Sequence, residues 1–471
     1  MATAVLDFLK RIIRTRLGLA GAVLTTASGF LVVLFFALGM AGIEQAPYVG
    51  ILAYLILPLF FVVGLALIPL GMLLERRRRN REGAQPLPVY DLNERGTRGR
   101  VLLFAALTSA NVIILAGASW KGVEVMDTSR FCGSCHKVMD PEFTAYSRSP
   151  HSRVACVQCH IGPGASWFVK SKISGAWQVV SVTFNLYPRP IPTPVMNLRP
   201  SRDTCEQCHW PTRFVGDRLR ILTHYADDEA STPKKNVLLM HVGGGEAGKG
   251  IHWHVSSGVR IRYLADPRRE NIQTVEVTRP DGKVETYQAK PDQKSPAPAP
   301  SALAWRTMDC VDCHNRPTHQ FRPAALEVDA AIDDGRIDRS LPFVKREALK
   351  ALTAAYPSRQ AAGDGIRNAL VTFYEKQYPQ AWASKRDAVM TAAQALTDAW
   401  DRNVWPQMNI GWGTYPSLLG HEQTNGCWRC HDENHSTADG KTISQDCDTC
   451  HTLLAQDEAA PAILKQLGQE K

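Results

Sequence analysis

The stretch FCGSCHKVMD, residues 131–140, places two cysteines three positions apart, with a histidine directly after the second. All twelve cysteines of the 471-residue chain fall in six such Cys-x-x-Cys-His motifs. Zinc sites pair cysteines with further cysteines or spaced histidines and do not require a histidine directly after each pair. The motif is typical of haem c attachment, in which both thiols bind the porphyrin and the histidine binds the iron. The sequence therefore predicts six covalently bound haem c groups.

The six motifs are numbered here in chain order. Their cysteines are predicted to attach haem, and their histidines are predicted to bind iron. In order they are Cys132, Cys135 and His136; Cys156, Cys159 and His160; Cys205, Cys208 and His209; Cys310, Cys313 and His314; Cys427, Cys430 and His431; and Cys447, Cys450 and His451.

A second protein ligand on each iron would come from histidines outside the motifs, of which the chain has eight. Those within a few residues of a motif are the first candidates. In the segment GIHWHV, His252 and His254 would point to opposite faces of an extended chain, so only one of them, His254, is predicted to bind. His224 and His241 are reserves. The predicted distal ligands are thus His151, His254, His319, His421 and His435.

Three apolar segments lie within residues 1–120, at about 17–43, 49–74 and 101–120. Each is long enough to cross a bilayer, and the first is too long for the apolar core of a cleaved signal peptide. Basic residues flank the ends that the positive-inside rule assigns to the cytoplasm. They are Lys10, Arg11, Arg14, Arg16, Arg76, Arg77, Arg78, Arg79, Arg81, Arg95, Arg98 and Arg100.

This arrangement predicts a protein embedded in the lipid bilayer of a bacterial inner membrane. Its N-terminus would lie in the cytoplasm and its haem domain in the periplasm. The net charge of +9 gives no support to nucleic-acid binding, because residues 1–120 hold twelve basic against six acidic residues and so carry most of the excess. The basic run beside the second apolar segment is typical of a topology anchor.

The predicted fold class is mainly α with little regular structure, since haem groups would supply much of the core. Residues 121–235 form the first haem domain, with motifs 1–3. Alternating polar and apolar residues predict a small β-rich insertion, which together with a Pro-rich linker occupies 236–302. Residues 303–471 form a C-terminal haem domain with motifs 4–6, and helical spacing of apolar residues predicts a helical insert at 324–402.

A known family is suggested by FCGSCHKVMDPEFTAYSRSPHSRVACVQCH, which follows the third apolar segment. This stretch resembles the start of the NapC/NirT (NrfH-type) membrane-anchored quinol dehydrogenases, most specifically over residues 100–210. In that family a methionine just after the first motif can bind the iron, beside a quinol pocket. The matching residue is Met139, although the spacing here is Cys-His-x-x-Met where the family usually has Cys-His-x-Met. A packing methionine with His136 on the iron is the alternative.

The resemblance also implies a lysine and an acidic residue near the quinol, after the second motif. Lys170 and Lys172 match the lysine. Trp177 and Gln178 stand where the acid is expected, so Glu142 or Asp140 is the candidate proton acceptor. Quinol oxidation releases two protons, and a base near the ring is therefore needed.

The resulting prediction is a hexahaem cytochrome c that oxidises menaquinol or ubiquinol from the membrane quinone pool. Its electrons would pass to a periplasmic cytochrome or terminal reductase in anaerobic respiration. One alternative is a passive electron-transfer and anchoring subunit of a larger complex or oligomer. Another is a terminal reductase, which is disfavoured because the surplus of histidines argues against a second open haem.

Overall fold

A computed structural model describes residues 15–40, 52, 56–81, 91–134, 136–162, 164–195, 198–243, 250–290, 303–422 and 424–469. The chain divides into two compact units, Met1–His136 and Lys137–Lys471. Three predicted features lie outside the described residues. They are the basic anchor residues Lys10, Arg11 and Arg14, the connection at 44–48 between the first two apolar segments, and the Pro-rich linker at 291–302.

The first unit is helical, with α1 (Arg16–Met40), α2 (Leu57–Arg81), α3 (Arg95–Met126) and the short α4 (Ser129–Gly133). Helices α1 and α2 pack against each other through small residues. A Cβ added at Gly64 would lie 2.5 Å from Thr25 Oγ1 and 2.9 Å from the Gly21 carbonyl oxygen. Small residues let two apolar helices approach closely. Close packing matters most in lipid, where the hydrophobic effect does not drive helices together.

Two of the described helices are long and apolar enough to cross a membrane, through Arg16–Phe35 in α1 and Leu57–Glu75 in α2. Their side chains are mostly turned outward, and Phe30, Leu59 and Val62 are more than half exposed. This composition is consistent with a membrane anchor. The third predicted span, 101–120, lies inside the 32-residue helix α3, and its passage through the membrane stays a prediction.

The second unit opens with helices that carry or follow haem motifs: α5 (His136–Ser147), α6 (Cys156–His160), α7 (Ala165–Thr183) and α8 (Ser201–Cys205). Motifs 4 to 6 begin in single 3₁₀ turns at Cys310–Asp312, Gly426–Arg429 and Cys447–Thr449. Because residues three apart share one face of a helical turn, each turn directs the two cysteines of its motif to the same side.

In the part of the chain that the structure describes, eight strands form two antiparallel sheets. The first has the order β1-β2-β8, from Asp217–Tyr225, Pro233–His241 and His451–Glu458. The second has the order β6-β3-β4-β5-β7. In chain order its strands are β3 (Arg260–Ala265), β4 (Ile272–Thr278), β5 (Val284–Ala289), β6 (Ala304–Thr307) and β7 (His435–Ser436).

The β structure therefore starts at Asp217, before the predicted boundary at 236, and includes strands from the C-terminal part of the chain. Strand β1 leaves most of its first half exposed, so it lacks the alternation by which a half-buried strand is recognised. The second sheet shows that alternation clearly: Ile261, Tyr263, Val275, Val277 and Tyr287 are all buried on one face.

Four helices occupy the region of the predicted insert: α9 (Ala324–Asp333), α10 (Val344–Thr353), α11 (Arg359–Gln377) and α12 (Pro379–Asp401). They bury an aliphatic and aromatic core that includes Leu341, Ile366, Leu370, Leu396 and Trp400. A short helix, α13 (Ala462–Gln466), follows β8. The expectation of little regular structure is thus corrected, because this insert and the sheets bury apolar cores made of their own side chains.

Candidate haem-binding and quinol site

The rings of five motif histidines each face a histidine from outside the motifs. The histidines of motifs 2 to 6 all have such a partner among the residues that the structure describes. The ring centres are 6.2 Å apart for His160 and His319, 5.9 Å for His209 and His151, 6.5 Å for His314 and His252, 5.8 Å for His431 and His254, and 6.1 Å for His451 and His421.

The spacing in these pairs matches two imidazoles on opposite sides of one iron. A transition metal bonds an imidazole nitrogen at about 2.0–2.1 Å, and the ring centre lies roughly 1.1 Å behind that nitrogen, so two axial rings have centres about 6.3 Å apart. All five observed separations lie close to that value. The donor sets therefore fit the haem groups that the attachment motifs imply.

The outer nitrogen of several paired rings is held by the backbone. His252 Nδ1 lies 3.0 Å from the Val242 carbonyl oxygen, His254 Nδ1 lies 2.7 Å from that of Ile251, and His431 Nδ1 lies 2.8 Å from that of Ser444. A ring whose Nδ1–H donates to a carbonyl keeps Nε2 unprotonated, which is the form that binds a metal.

Burial also favours the neutral form of these rings. Desolvation lowers the pKa of His160, His254, His314, His319 and His451 below the ordinary value for histidine, because a charged imidazolium is poorly stabilised away from water. Metal ligation needs the neutral imidazole. The environment of the pairs thus prepares them as ligands.

His435, one of the predicted distal ligands, is unavailable, and that expectation is corrected. It is 2% exposed, with Nδ1 2.9 Å from Asp432 Oδ1 and Nε2 3.0 Å from the Ile272 carbonyl oxygen. Both ring nitrogens are occupied, so neither can bind iron. The reserve His241 is engaged in the same way, by Asp217 and Thr452.

His252 faces a motif histidine, as was expected of His435. From this segment, however, only His254 was predicted to bind. Both histidines lie in a single 3₁₀ turn, Ile251–Val255. With three residues per turn, side chains two positions apart point in different directions and reach different partners, His314 and His431. The extended geometry assumed from the sequence also predicted divergent side chains, but the turn brings both rings to motif histidines, whereas only His254 was predicted to bind.

Successive motifs from 2 to 6 are neighbours in space. Cysteines of neighbouring motifs lie close enough for one thiol to raise the pKa of the other, beside the larger effect of burial on most of them. The pairs are Cys159 and Cys208, Cys205 and Cys310, Cys313 and Cys427, and Cys450 and Cys427. Helix α8 of motif 3 also packs against both α6 of motif 2 and the turn of motif 4. The attachment sites 2 to 6 therefore follow one another in chain order.

Motif 1 is only partly described. Cys135 and the side chain of His136 lie outside the described residues, whereas Met139 is half-buried on α5. The assignment of Met139 as an iron ligand stays a prediction.

Lys170 and Lys172 lie on α7, beside aromatic rings. Lys170 Nζ is 4.5 Å from the centre of the Trp167 ring, and Lys172 Nζ is 4.7 Å from that of Phe168. A cation over a ring face is attracted by the quadrupole of the ring. The two ammonium groups are therefore held against the apolar surface of the same helix.

The exposed face of α7 carries large apolar side chains. Ile173 is 68% exposed and Trp177 is 63% exposed, whereas Ser181 is buried and Ser174 is half-buried. A helix facing water normally has the opposite pattern. This face is therefore suited to an apolar ligand or to lipid, with the two lysines at its N-terminal half.

Glu142 lies elsewhere and is already engaged, which corrects its expected role as proton acceptor. Arg316 Nη2 donates to both of its carboxylate oxygens at 2.8 Å, and its Oε2 lies 3.2 Å from His319 Nδ1. The alternative, Asp140, accepts a hydrogen bond of 2.9 Å from Trp405 Nε1. Neither carboxylate is directed to the lysines of α7 in the contacts described.

Comparison with known proteins gives two matches. Residues 95–189 match the family described as the NapC/NirT cytochrome c family, N-terminal region. The chain is also 40% identical over 451 residues to the cytochrome c-type protein ImcH of Geobacter sulfurreducens, an alignment that covers 93% of this chain and 88% of that protein. No solved structure matches.

Proposed function

The chain belongs to the NapC/NirT cytochrome c family, and on that premise we propose that it is a membrane-anchored hexahaem quinol dehydrogenase. It oxidises membrane quinol and delivers the electrons to a periplasmic acceptor. The observation that carries this proposal is the pairing of five motif histidines with five other histidines at the separation of two axial ligands.

In this proposal the cysteines of each motif would hold one haem c, and in five motifs two histidines would bind its iron. When bound, haem c supplies iron that accepts and releases one electron at a time. For motif 1 the ligand is Met139, by resemblance to the family. The remaining ligands, in motif order 2 to 6, are His160 with His319, His209 with His151, His314 with His252, His431 with His254 and His451 with His421.

Two imidazoles on one iron leave no coordination position for a substrate, so these five sites are suited to electron transfer. The neighbouring thiols of motifs 2 to 6 support a continuous row of such sites. Electrons would enter at motif 1 and leave near motif 6. The acceptor is a periplasmic cytochrome or reductase.

Quinol is assigned to the apolar face of α7. Lys170 and Lys172 would donate hydrogen bonds to the quinol oxygens, and the exposed apolar side chains beside them, such as Val169 and Ile173, would contact its ring and tail. A lipid-soluble substrate requires such a surface, because ligand sites are lined mostly by apolar side chains, with a few polar groups that fix the orientation of the ligand.

The proposed topology places the N-terminus in the cytoplasm and residues 121–471 in the periplasm. Its support is the two apolar helices, with the segment 101–120 of α3 as the third crossing that the topology needs, the basic residues at the predicted cytoplasmic ends, and the attachment motifs, since haem c is attached outside the cytoplasmic membrane. A periplasm-specific reporter fused to the C-terminus should be active, and a cytoplasm-specific reporter should be inactive.

The deciding experiment mixes the purified full-length protein, in detergent and without oxygen, with a reduced menaquinol analogue. Haem absorbance followed by stopped flow should show rapid reduction. Lys170→Ala and Lys172→Ala should slow it, while Lys376→Ala, at an exposed lysine of the helical insert, should not. Haem content per chain should stay near six in all variants.

A passive anchoring subunit is the second candidate. It predicts no reduction by quinol, although dithionite would still reduce the protein fully. Unchanged kinetics in both lysine variants, with rapid reduction of the unmodified protein, would instead move the quinol site away from α7.

A further inference from the structure

Glu142 occupies an unusual position among the contacts of the paired histidines. His319 Nδ1 lies 3.0 Å from the main-chain oxygen of Glu142 and 3.2 Å from its carboxylate Oε2. The Nδ1 atoms of His252, His254 and His431 are each placed against a main-chain carbonyl oxygen. Among these four rings, His319 is the one that the described contacts also place against a carboxylate.

The carboxylate is held firmly in that position. The side chain of Glu142 is 15% exposed and that of Arg316 is 10% exposed. Arg316 Nη2 donates to both oxygens of Glu142, and its Nε donates to the His319 carbonyl oxygen at 2.6 Å. The guanidinium group in turn stacks 4.1 Å from the centre of the Tyr415 ring.

These contacts join three parts of the chain. Glu142 lies on α5 just after motif 1, Arg316 lies two residues after the motif 4 histidine, and His319 faces the motif 2 histidine, His160, at 6.2 Å. Arg316 and Glu142 therefore fix both the ring orientation of His319 and the segment that carries it. The hydrogen bond of His319 Nδ1 goes to the main-chain oxygen of Glu142, and the carboxylate Oε2 places a negative charge 3.2 Å from the same nitrogen. A carbonyl or carboxylate beside the outer nitrogen of a histidine ligand makes that ligand more basic.

We propose that Glu142 is a positioning residue that orients His319 and strengthens it as an iron ligand, which lowers the reduction potential of the second haem. The inference rests on the proposed haem ligation and is independent of the quinol site. A negative charge and a more basic ligand both favour ferric over ferrous iron. The Glu142 carboxylate therefore lowers the reduction potential in two ways: it makes His319 a more basic ligand, and its negative charge favours the ferric state directly.

The test is a potentiometric titration of the full-length protein in detergent, followed by haem absorbance, with electron paramagnetic resonance of the ferric state. Glu142→Gln keeps the shape of the side chain and removes its charge. We expect the reduction potential of one of the one-electron steps to rise by at least about 59 mV, which corresponds to a tenfold change in the ratio of reduced to oxidised haem. His319→Met should alter the same low-spin resonance signal.

The matched control is Glu327→Gln. Glu327 is 2% exposed and also pairs with an arginine, Arg402, but its hydrogen-bond partners lie in and beside the helical insert. This variant should leave every step in place. An equal shift in both variants, or no shift in Glu142→Gln with full haem content, would overturn the proposal.

If Glu142→Gln fails to fold, Glu142→Asp provides the second variant, because it retains the charge and withdraws it by one methylene group. A smaller shift of the same step supports the proposal, whereas failure of both variants to fold would assign Glu142 a purely structural role. Chemical titrants replace quinol in these measurements. A defect in quinol oxidation would therefore leave the result unaffected.

Discussion

The imidazole rings of His252 and His314 lie almost parallel, with 6° between their planes and 6.5 Å between their centres. His314 completes motif 4, whereas His252 comes from a 3₁₀ turn that precedes the second sheet. The turn is held by His252 Nδ1, which is 3.0 Å from the Val242 carbonyl oxygen. Two segments far apart in the chain thus meet at the separation required for one iron.

Replacement of His252 should open one coordination position. In His252→Ala we expect full covalent haem content, because Cys310 and Cys313 are untouched, and one high-spin centre per chain. Reduced protein should then bind carbon monoxide at about one site more than the unmodified protein. Ultraviolet–visible spectroscopy with carbon monoxide titration measures both effects.

His435→Ala is the corresponding control. Its ring is occupied by Asp432 and the Ile272 carbonyl oxygen, so the spectrum should stay low-spin while stability falls by about 1–3 kcal/mol through the buried groups left without a partner. New carbon monoxide binding in this variant would contradict the assignment of His435.

A charge on the outward face of α7 should impair electron entry from quinol. Ile173 is 68% exposed, so Ile173→Glu should hardly change stability if the face met only water. If the face meets quinol or lipid, burial of an ionised carboxylate is costly, and we expect at least tenfold slower reduction by a menaquinol analogue. Met390→Glu, at an exposed apolar residue of the helical insert, should reduce at the normal rate.

Truncation of a core side chain in the helical insert should lower the stability of the insert. Leu396 is fully buried among the residues of α9 to α12, and Leu396→Ala should lower the free energy of unfolding by about 2–5 kcal/mol. Denaturant titration followed by far-ultraviolet circular dichroism measures the loss. The low-spin haem spectrum should persist under native conditions, and a changed spectrum there would mean that the insert core also determines ligation.

Acid should weaken the second sheet through Glu285. Hydrogen bonds from Lys441 and Arg279 lower the pKa of Glu285 from 4.5 to about 2. Because the folded-state pKa is below the ordinary value, this stabilisation is present above pH 4.5 and is lost as the pH falls towards 2. Glu285→Gln should therefore cost about 1 kcal/mol at pH 7 and flatten the dependence of stability on pH in that window.

Thermal unfolding at a series of pH values tests this prediction. Glu270→Gln, at an exposed position between β3 and β4, is the control and should retain the full pH dependence. An equally steep loss of stability in Glu285→Gln would show that other carboxylates are responsible.

Local chemistry made several features of this protein predictable. Each Cys-x-x-Cys-His motif carries its attachment groups and one ligand within five residues, so no folding information is needed to recognise it. The family was predicted from the first two motifs and is confirmed by the matches to the NapC/NirT family and to a cytochrome of Geobacter sulfurreducens. The apolar helices were predictable because length and composition alone indicate a membrane span.

The pairing of motif histidines with other histidines is visible only in the tertiary structure. Proximity to a motif in sequence favoured His435, yet a carboxylate and a carbonyl oxygen fill both of its ring nitrogens. Similarly, the acidic residue Glu142 was a candidate for proton transfer until the fold placed it against Arg316 and His319. In both cases the side chain is of the expected type, but the fold brings up a distant partner that engages it, the Ile272 carbonyl oxygen for His435 and Arg316 for Glu142.

The amino-acid sequence by itself determined that six Cys-x-x-Cys-His motifs are present and predicts which cysteines would attach haem, because covalent attachment depends on neighbours within one helical turn. Only the tertiary structure decided which second histidine faces each of motifs 2 to 6 and in what order these motifs adjoin. An iron needs two ligands about 4 Å apart on opposite sides, and only the folded chain can bring residues such as His160 and His319 to that separation.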